Sequence, residues 1–181
     1  MGLILGGVSA QGLILDGHSV SLYVGGSPPV KVWPTGEAGE TVQITLGTGF
    51  QARDQLRAAL TARGLDYRTV TEIPFDVELV GTGSARDMFY NCAALTSVPE
   101  MNTSLVTNMA TMFYNCAALT YVPDMDTAQV TSVFYMFYGC AALTDGNVRL
   151  IGKHPNVNTS YMITGSGLTR APFFDAAGNP I

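Results

Sequence analysis

The sequence MFYNCAALT at residues 88–96 recurs unchanged at residues 112–120, and it recurs as MFYGCAALT at residues 136–144. A fixed period of roughly 20 to 50 residues is typical of repeat proteins. One unit of this kind is too small to bury its own apolar side chains, so neighbouring units stack and share a core. The block therefore predicts a stack of equivalent rungs, one for each copy of the repeat.

The same phase continues outward in weaker form on both sides of the block. The segment VTEIP at residues 70–74 precedes LTSVP at residues 95–99 by about one period. Likewise, LTRAP at residues 168–172 follows LTDGN at residues 143–147 by about one period. Terminal repeats usually differ from inner ones because they face water or another domain. We therefore predict about five rungs, with atypical first and last members.

Cysteine occupies a single position of the repeat, at Cys92, Cys116 and Cys140. Stacked rungs place equivalent residues about 4.8 Å apart, which brings these thiols close together. The number of cysteines is odd and no Cys-x-x-Cys motif is present, which argues against a disulfide framework or a zinc site. We predict a ladder of buried, free thiols beside Met, Phe and Leu core residues.

Two sets of residues remain for recognition once the core is assigned. One is the tyrosine that follows each core phenylalanine, and the other is the variable position two residues after the conserved leucine. Variable residues on a regular scaffold often carry binding. Our candidate binding residues are Tyr90, Tyr114, Tyr138, Tyr121 and Arg170. The alternative is that the repeated tyrosines only pack in the groove between rungs.

The residues before the repeat predict strands and one helix. Val20, Leu22 and Val24 alternate with polar or aromatic residues, and residues 30–33 read as a returning strand after a Gly- and Pro-containing loop. An amphipathic helix of about 12 to 14 residues follows, with Thr48 as the predicted N-cap. Gly64 is expected to end it.

Composition excludes several classes of function. The net charge is −5 and the basic residues are scattered, so we expect no nucleic-acid binding. No apolar stretch reaches the roughly 20 residues of a membrane span. No basic residue precedes the first apolar run, so we expect synthesis in the host cytoplasm without a signal peptide. Neither His18 nor His154 lies in a catalytic or metal-binding motif, and we expect no enzyme activity, cofactor or metal.

The repeat consensus also carries a family resemblance. It reads M-F-x-x-C-x-x-L-T-x-x-P followed by T-S-x-V-T-N-M-x-x-M-F, and its best copy is LTSVPEMNTSLVTNMATMF at residues 95–113. This pattern resembles the BspA-like leucine-rich surface-protein repeats. The resemblance implies a right-handed, leucine-rich-repeat-like solenoid used in surface attachment, as found in bacterial adhesins and in phage virion proteins.

A second resemblance concerns the N-terminal hairpin. SVSLYVGGSPPVKVWP at residues 19–34 is similar to the attachment segments of minor tail proteins in phages of Gram-positive bacteria. The similarity implies that this segment anchors the chain to a phage particle. The candidate anchoring residues are Leu22, Tyr23, Val24, Val30, Val32 and Trp33.

Together these observations predict an α+β chain with three parts. Residues 1–49 form a small β-hairpin domain for attachment and assembly, residues 50–69 a helical cap, and residues 70–181 the leucine-rich-repeat-like solenoid. The expected function is that of a non-enzymatic minor tail or tail-tip protein in the virion. Expected partners are other tail proteins, further copies of the chain, and a host-surface protein or glycan. The alternatives are a bacterial surface adhesin or binding module, and a phage head-decoration protein.

Overall fold

The computed structural model describes residues 40–181 fully and, within residues 1–39, the backbone of five short strands. The chain divides into two compact units, Met1–Glu40 and Thr41–Ile181.

The described strands of the first unit pair in antiparallel fashion. Strand β1 (Ile4–Leu5) pairs with β2 (Val8–Ser9). A second sheet has the order β3 (Gly12–Leu15), β4 (Val20–Tyr23), β5 (Val30–Val32). The predicted pairing of the two strands across the Gly- and Pro-containing loop is thus confirmed. The side chains of the predicted anchoring residues lie outside the described part of the chain, so their role stays a prediction.

The second unit opens with two parallel strands joined by a helix. Strand β6 (Thr41–Thr45) pairs in parallel with β7 (Asp76–Val80), and helix α1 (Gln51–Ala62) lies between them in the chain. This pairing differs from the prediction, which places these residues in the β-hairpin domain of residues 1–49. Alternation of polar and apolar residues predicts a strand but not its partner. Parallel pairing needs a long crossover connection, which α1 provides.

Helix α1 buries Ala52, Leu56 and Leu60, one face of a 3.6-residue period. The residue at its N-cap is Phe50 and no side chain caps the helix there, so the prediction of a Thr48 cap is wrong. The C-terminal prediction is confirmed, because Gly64 has φ +73°. Its amide donates to the Thr61 carbonyl (2.9 Å) while the next amide reaches back to Leu60, as in a Schellman motif.

Replacing Gly64 with alanine is expected to lower the free energy of unfolding by about 1–2 kcal/mol. A residue with a Cβ is strained at positive φ by about that amount, and no atom lies close enough to add a clash. Urea unfolding measures the loss. Gly64→Asn is the matched control, and it should lose less because asparagine tolerates this conformation. Equal stability of the alanine variant and the parent would contradict this account of the helix end.

Each rung of the repeat has a side made of consecutive tight turns. The Tyr114 amide closes a turn on the Thr111 carbonyl (3.1 Å), whereas the Phe113 amide donates to Met136 in the next rung (3.0 Å). Amides thus alternate between local turns and bonds to the following rung. Four rungs have this turn side, and none of the described ones is helical.

The turns require two left-handed backbone positions in each rung. One of them is occupied by residues that tolerate positive φ, namely Asn91, Asn115, Gly139 and Gly165. This requirement explains why asparagine in the first two copies of the repeated block is replaced by glycine in the third. The other position has φ between 55° and 60° and is occupied by Asp87, Thr111, Tyr135 and Tyr161.

The leucine side of the repeat has five members. The residues at the conserved leucine position are all buried, at Val70, Leu95, Leu119, Leu143 and Leu168. Threonines after them tie rungs together: the hydroxyl of Thr96 donates to the Thr71 carbonyl (3.0 Å), and that of Thr120 donates to the Thr96 carbonyl (3.1 Å). The predicted stacking of repeated units is thus confirmed on this side, where the five equivalent positions are buried.

Short parallel strands complete the rungs. Strand β8 (Gly83–Ser84) pairs with β9 (Val106–Asn108), and three further strands pair in the order β10 (Met125–Asp126), β11 (Leu150–Ile151), β12 (Phe173–Phe174). Parallel strands from successive rungs place equivalent residues over one another. The result is a solenoid-like stack with one continuous apolar core.

The chain covers its last strand with its own C-terminal residues. Phe174 bridges antiparallel to Pro180, and the Ile181 amide donates to the Phe173 carbonyl (3.0 Å). The Asp175 carboxylate fixes this turn by accepting from the amides of Ala177 and Asn179. The outer edge of β12 is therefore paired within the chain. Within the described residues, no helix has the length and apolar character that a membrane crossing requires.

Candidate interaction surface

A stack of phenylalanine rings forms the rigid base of the turn side. Phe89, Phe113 and Phe137 are buried, with ring centroids 5.3 and 5.5 Å apart and planes within 4° of parallel. Because the repeat is regular, each ring lies over the ring of the preceding rung and has equivalent surroundings. Residues that follow these rings in the chain are consequently held at fixed positions on the outside of the stack.

The predicted thiol ladder lies beside these rings. All three cysteines are free and buried. The Cys116 thiol donates to the Phe89 carbonyl and the Cys140 thiol to the Phe113 carbonyl, both at 3.0 Å. Burial raises the pKa of Cys92 and of Cys140 to about 12. A thiol must ionise to act as a nucleophile or metal ligand, and burial disfavours that ionisation here.

The three repeated tyrosines form a second stack outside the phenylalanines. Tyr90 and Tyr114 have centroids 5.0 Å apart, and Tyr114 and Tyr138 have centroids 4.9 Å apart, with planes within 9°. All three side chains are partly exposed. The sequence predicted this column of tyrosines, and the structure shows that the rings cover one another's faces.

Three further aromatic residues extend the stack sideways, and the sequence analysis missed them. Tyr135 lies edge-on to Tyr138 (5.2 Å) and stacks on Tyr161 (5.0 Å, 11°), while Phe134 meets the Tyr135 ring edge-on (4.2 Å). The sequence does contain a signal for two of them: Tyr135 and Tyr161 each come one residue before a methionine of the turn side, Met136 and Met162. We call the six residues the aromatic face: Tyr90, Tyr114, Tyr138, Tyr135, Tyr161 and Phe134.

The hydroxyl of Tyr114, at the centre of the tyrosine stack, stays protonated at neutral pH. Partial desolvation raises the pKa of Tyr114, and the neighbouring phenols of Tyr138, Tyr90 and Tyr135 raise it further, because a phenolate among them would be repelled. Both faces of the Tyr114 ring are covered by Tyr90 and Tyr138, so a partner meets the edge of this ring and its hydroxyl group. Such a surface combines apolar contact with hydrogen bonds and has little conformational freedom to lose on binding.

Basic residues of helix α1 border the aromatic face at its first rung. Arg57 donates to the Tyr90 carbonyl (2.9 Å), and its guanidinium lies 3.8 Å from the centre of the Tyr67 ring. Asp87, at the left-handed position of the first rung, accepts a hydrogen bond from the Thr111 hydroxyl and lies 3.9 Å from Arg53. Helix α1 is thereby tied to the first rung.

The other two predicted binding residues lie elsewhere. Tyr121 bridges to Ser97 on the leucine side, and its pKa is raised by burial and then by the negative charges of Asp124 and Glu100. Beside those two acidic residues is a shallow depression of about 400 Å³. In the described residues, no ring contact joins Tyr121 to the aromatic face.

Arg170 is also separate from the aromatic face, because its guanidinium lies 5.7 Å from the centre of the Phe174 ring near the C-terminal turn. The five predicted residues therefore form one cluster of three and two isolated positions. The described part of the chain also contains no group of three His, Cys, Asp or Glu side chains placed to hold a metal ion.

The family DUF285, described as a Mycoplasma protein of unknown function, matches residues 75–166. This span includes all four turn-side rungs and the whole aromatic face. No curated protein and no solved structure matches the chain. Because the match covers just over half of the 181 residues, the chain belongs to the DUF285 family.

Proposed function

We propose that the protein is a non-enzymatic attachment protein whose repeat domain binds a partner protein through the aromatic face. The observation that carries this proposal is the set of six aromatic side chains in mutual ring contact on a partly exposed surface. Tyrosine is enriched at the energetic centres of protein interfaces. Rings already fixed by stacking lose little side-chain entropy when a partner binds.

The geometry favours a protein partner over a glycan. Stacking on a sugar uses the face of an aromatic ring, and the faces of Tyr90, Tyr114 and Tyr138 are directed at one another. Ring edges and hydroxyls remain for a partner, and both suit a protein surface with backbone carbonyls and apolar side chains. The BspA-like resemblance of the repeat supports the same attachment role.

For the site of action we propose a phage virion, in which the N-terminal unit anchors the chain to the tail. The support is the resemblance of residues 19–34 to minor tail proteins, together with the antiparallel pairing of β4 and β5 over that segment. A second candidate is a binding module on a bacterial cell surface. The family description, which names a Mycoplasma protein, favours this alternative.

Double replacement of Tyr114 and Tyr138 with alanine is expected to weaken binding of the fluorescently labelled full-length protein to host cells by at least about tenfold. A tenfold change corresponds to about 1.4 kcal/mol, and loss of two interface tyrosines typically costs more than that. Flow cytometry over a concentration series measures the change. Tyr121→Ala is the matched control, because it removes a partly exposed tyrosine outside the aromatic face.

The same assay tests the partner class and the surface. Treatment of the cells with protease should abolish binding, while periodate oxidation of glycans should leave it unchanged. Loss of binding in Tyr121→Ala with retention in the double variant would contradict the role of the aromatic face. Immunogold labelling of purified virions and of intact cells distinguishes the two locations, since gold on tails supports the first and gold on uninfected cells the second.

A further inference from the structure

Inner rungs use the same four amides to bind the next rung. In the second turn-side rung, amides at alternate residues donate to carbonyls of the third at 2.8 to 3.0 Å, from Met109, Thr111, Phe113 and Asn115. In the third rung the equivalent amides donate to the fourth at 2.8 to 3.1 Å, from Val133, Tyr135, Phe137 and Gly139. This donor row is a constant feature of the turn side.

The fourth rung presents the same row of amides, and no acceptor for them lies within the described part of the chain. These amides belong to Thr159, Tyr161, Ile163 and Gly165. The amides between them are used in local turns, such as that of Met162, which donates to the Thr159 carbonyl (3.1 Å). We call these four amides the terminal edge. It offers mainly hydrogen-bond donors, because the carbonyls from Asn158 to Thr164 accept from amides in local turns or in the third rung.

The two sides of the last rungs are treated differently by the chain. The outer edge of β12 is paired with the C-terminal residues through Pro180 and Ile181. The terminal edge has no such cover among the described residues. An uncovered row of backbone groups is a template for pairing with another chain, which proteins usually block. Within residues 40–181, one side is blocked and the other is not.

Side chains at the terminal edge add an apolar component. Tyr161 is 60% exposed, and one face of its ring stacks on Tyr135 (5.0 Å). Its opposite face continues the direction of that column. Ile163 is partly buried against the core. An incoming segment therefore finds an aromatic surface beside the donor row, as each inner rung does.

The predominance of donors at the edge limits what can occupy it. Two copies related by a two-fold axis would place donors against donors, so the edge cannot pair with itself. Head-to-tail stacking would need the carbonyls of the first rung, but helix α1 lies there, and Arg57 already donates to the Tyr90 carbonyl (2.9 Å). The complementary group is a polypeptide segment that presents carbonyls at alternate residues.

We propose that the terminal edge binds a polypeptide segment of another protein, which takes up the turn conformation of the repeat and adds to it as a further rung. This proposal does not rest on the proposed function, because its contacts are backbone amides rather than the tyrosines of the central stack. Only Tyr161 belongs to both surfaces.

The test uses the full-length protein and a synthetic peptide that copies residues 131–143, the segment whose carbonyls accept from the second rung. Amide hydrogen exchange is followed by NMR. In the free protein, the four edge amides should exchange at nearly unprotected rates, while those of Tyr135, Phe137 and Gly139 are protected as internal controls. Adding the peptide should protect the edge amides with one-to-one saturation, and a scrambled peptide should not.

Two results would overturn the proposal: edge amides already protected in the free protein, or edge amides still unprotected with millimolar peptide. Tyr161→Ala keeps the four amides and removes the ring, so it should weaken peptide binding by roughly threefold to tenfold. Tyr114→Ala and Tyr138→Ala should leave peptide binding unchanged. This last comparison separates failure of the terminal edge from failure of the aromatic face.

Discussion

Replacing Phe113 with alanine is expected to lower the free energy of unfolding by about 3–5 kcal/mol, the usual cost of deleting a large buried aromatic side chain. Its ring has no exposed surface and lies between Phe89 (5.3 Å) and Phe137 (5.5 Å). Neighbours on both sides are fixed by backbone hydrogen bonds between rungs, so the cavity cannot collapse. Urea unfolding followed by circular dichroism measures the loss.

Tyr114→Ala is the natural control for this prediction because it removes the next aromatic residue in the chain. That side chain is partly exposed and stacks outside the core, so its loss should cost distinctly less. If the two variants were equally stable, the assignment of the phenylalanine column to the core and the tyrosine column to the surface would be wrong.

Alkaline pH is expected to destabilise the protein strongly through its buried thiols. Burial raises the pKa of Cys92 and Cys140 from 9.0 to about 12. Above pH 9 the unfolded chain loses these protons while the folded chain keeps them, so stability falls until the pH reaches the folded value. At about 1.4 kcal/mol per pH unit for each thiol, two thiols give a loss of roughly 4 kcal/mol near pH 10.5.

Thermal melts from pH 8 to about pH 11 measure this effect. The control is the triple replacement of Cys92, Cys116 and Cys140 with alanine, which keeps the tyrosines and should show a much shallower decline. Tyr114 also has a raised pKa and contributes in the same direction, so the difference between the two proteins isolates the thiols. Identical pH profiles would rule out the thiol ladder as the cause. In addition, a thiol reagent at pH 8 should label the native protein only as fast as it unfolds.

Much of the repeat could be predicted because its signal is a period. Equivalent residues in stacked rungs share one environment, so the recurrence of Met, Phe, Cys and Leu identifies the core without knowledge of the chain path. The five buried residues from Val70 to Leu168 confirm this reasoning even where the sequence is weak. Gly64 was predictable for a different reason, since a helix end at positive φ favours glycine.

The partner of strand β6 and the N-cap of α1 were harder to predict from the sequence, because the local sequence fits more than one structure at each place. Thr48 is a good capping residue, yet the helix begins after Phe50 without a side-chain cap. The polar and apolar alternation of Thr41–Thr45 fits either an antiparallel hairpin or a parallel partner. Only the position of β7 beyond the helix decides between the two.

The sequence by itself determined that the chain stacks repeated units, which residues fill the core, and that tyrosines recur outside it. Tertiary structure alone decided how the aromatic face is assembled and where the stack ends. Tyr161 comes later than the fixed period places it after Tyr135, so the two align only when the sequence is matched on Met136 and Met162; that their rings lie 5.0 Å apart is shown by the structure alone. The ends depend on backbone hydrogen bonds between rungs, which side-chain patterns do not encode. A row of amides without acceptors among the described residues, beside a covered strand, is therefore visible only in the folded chain.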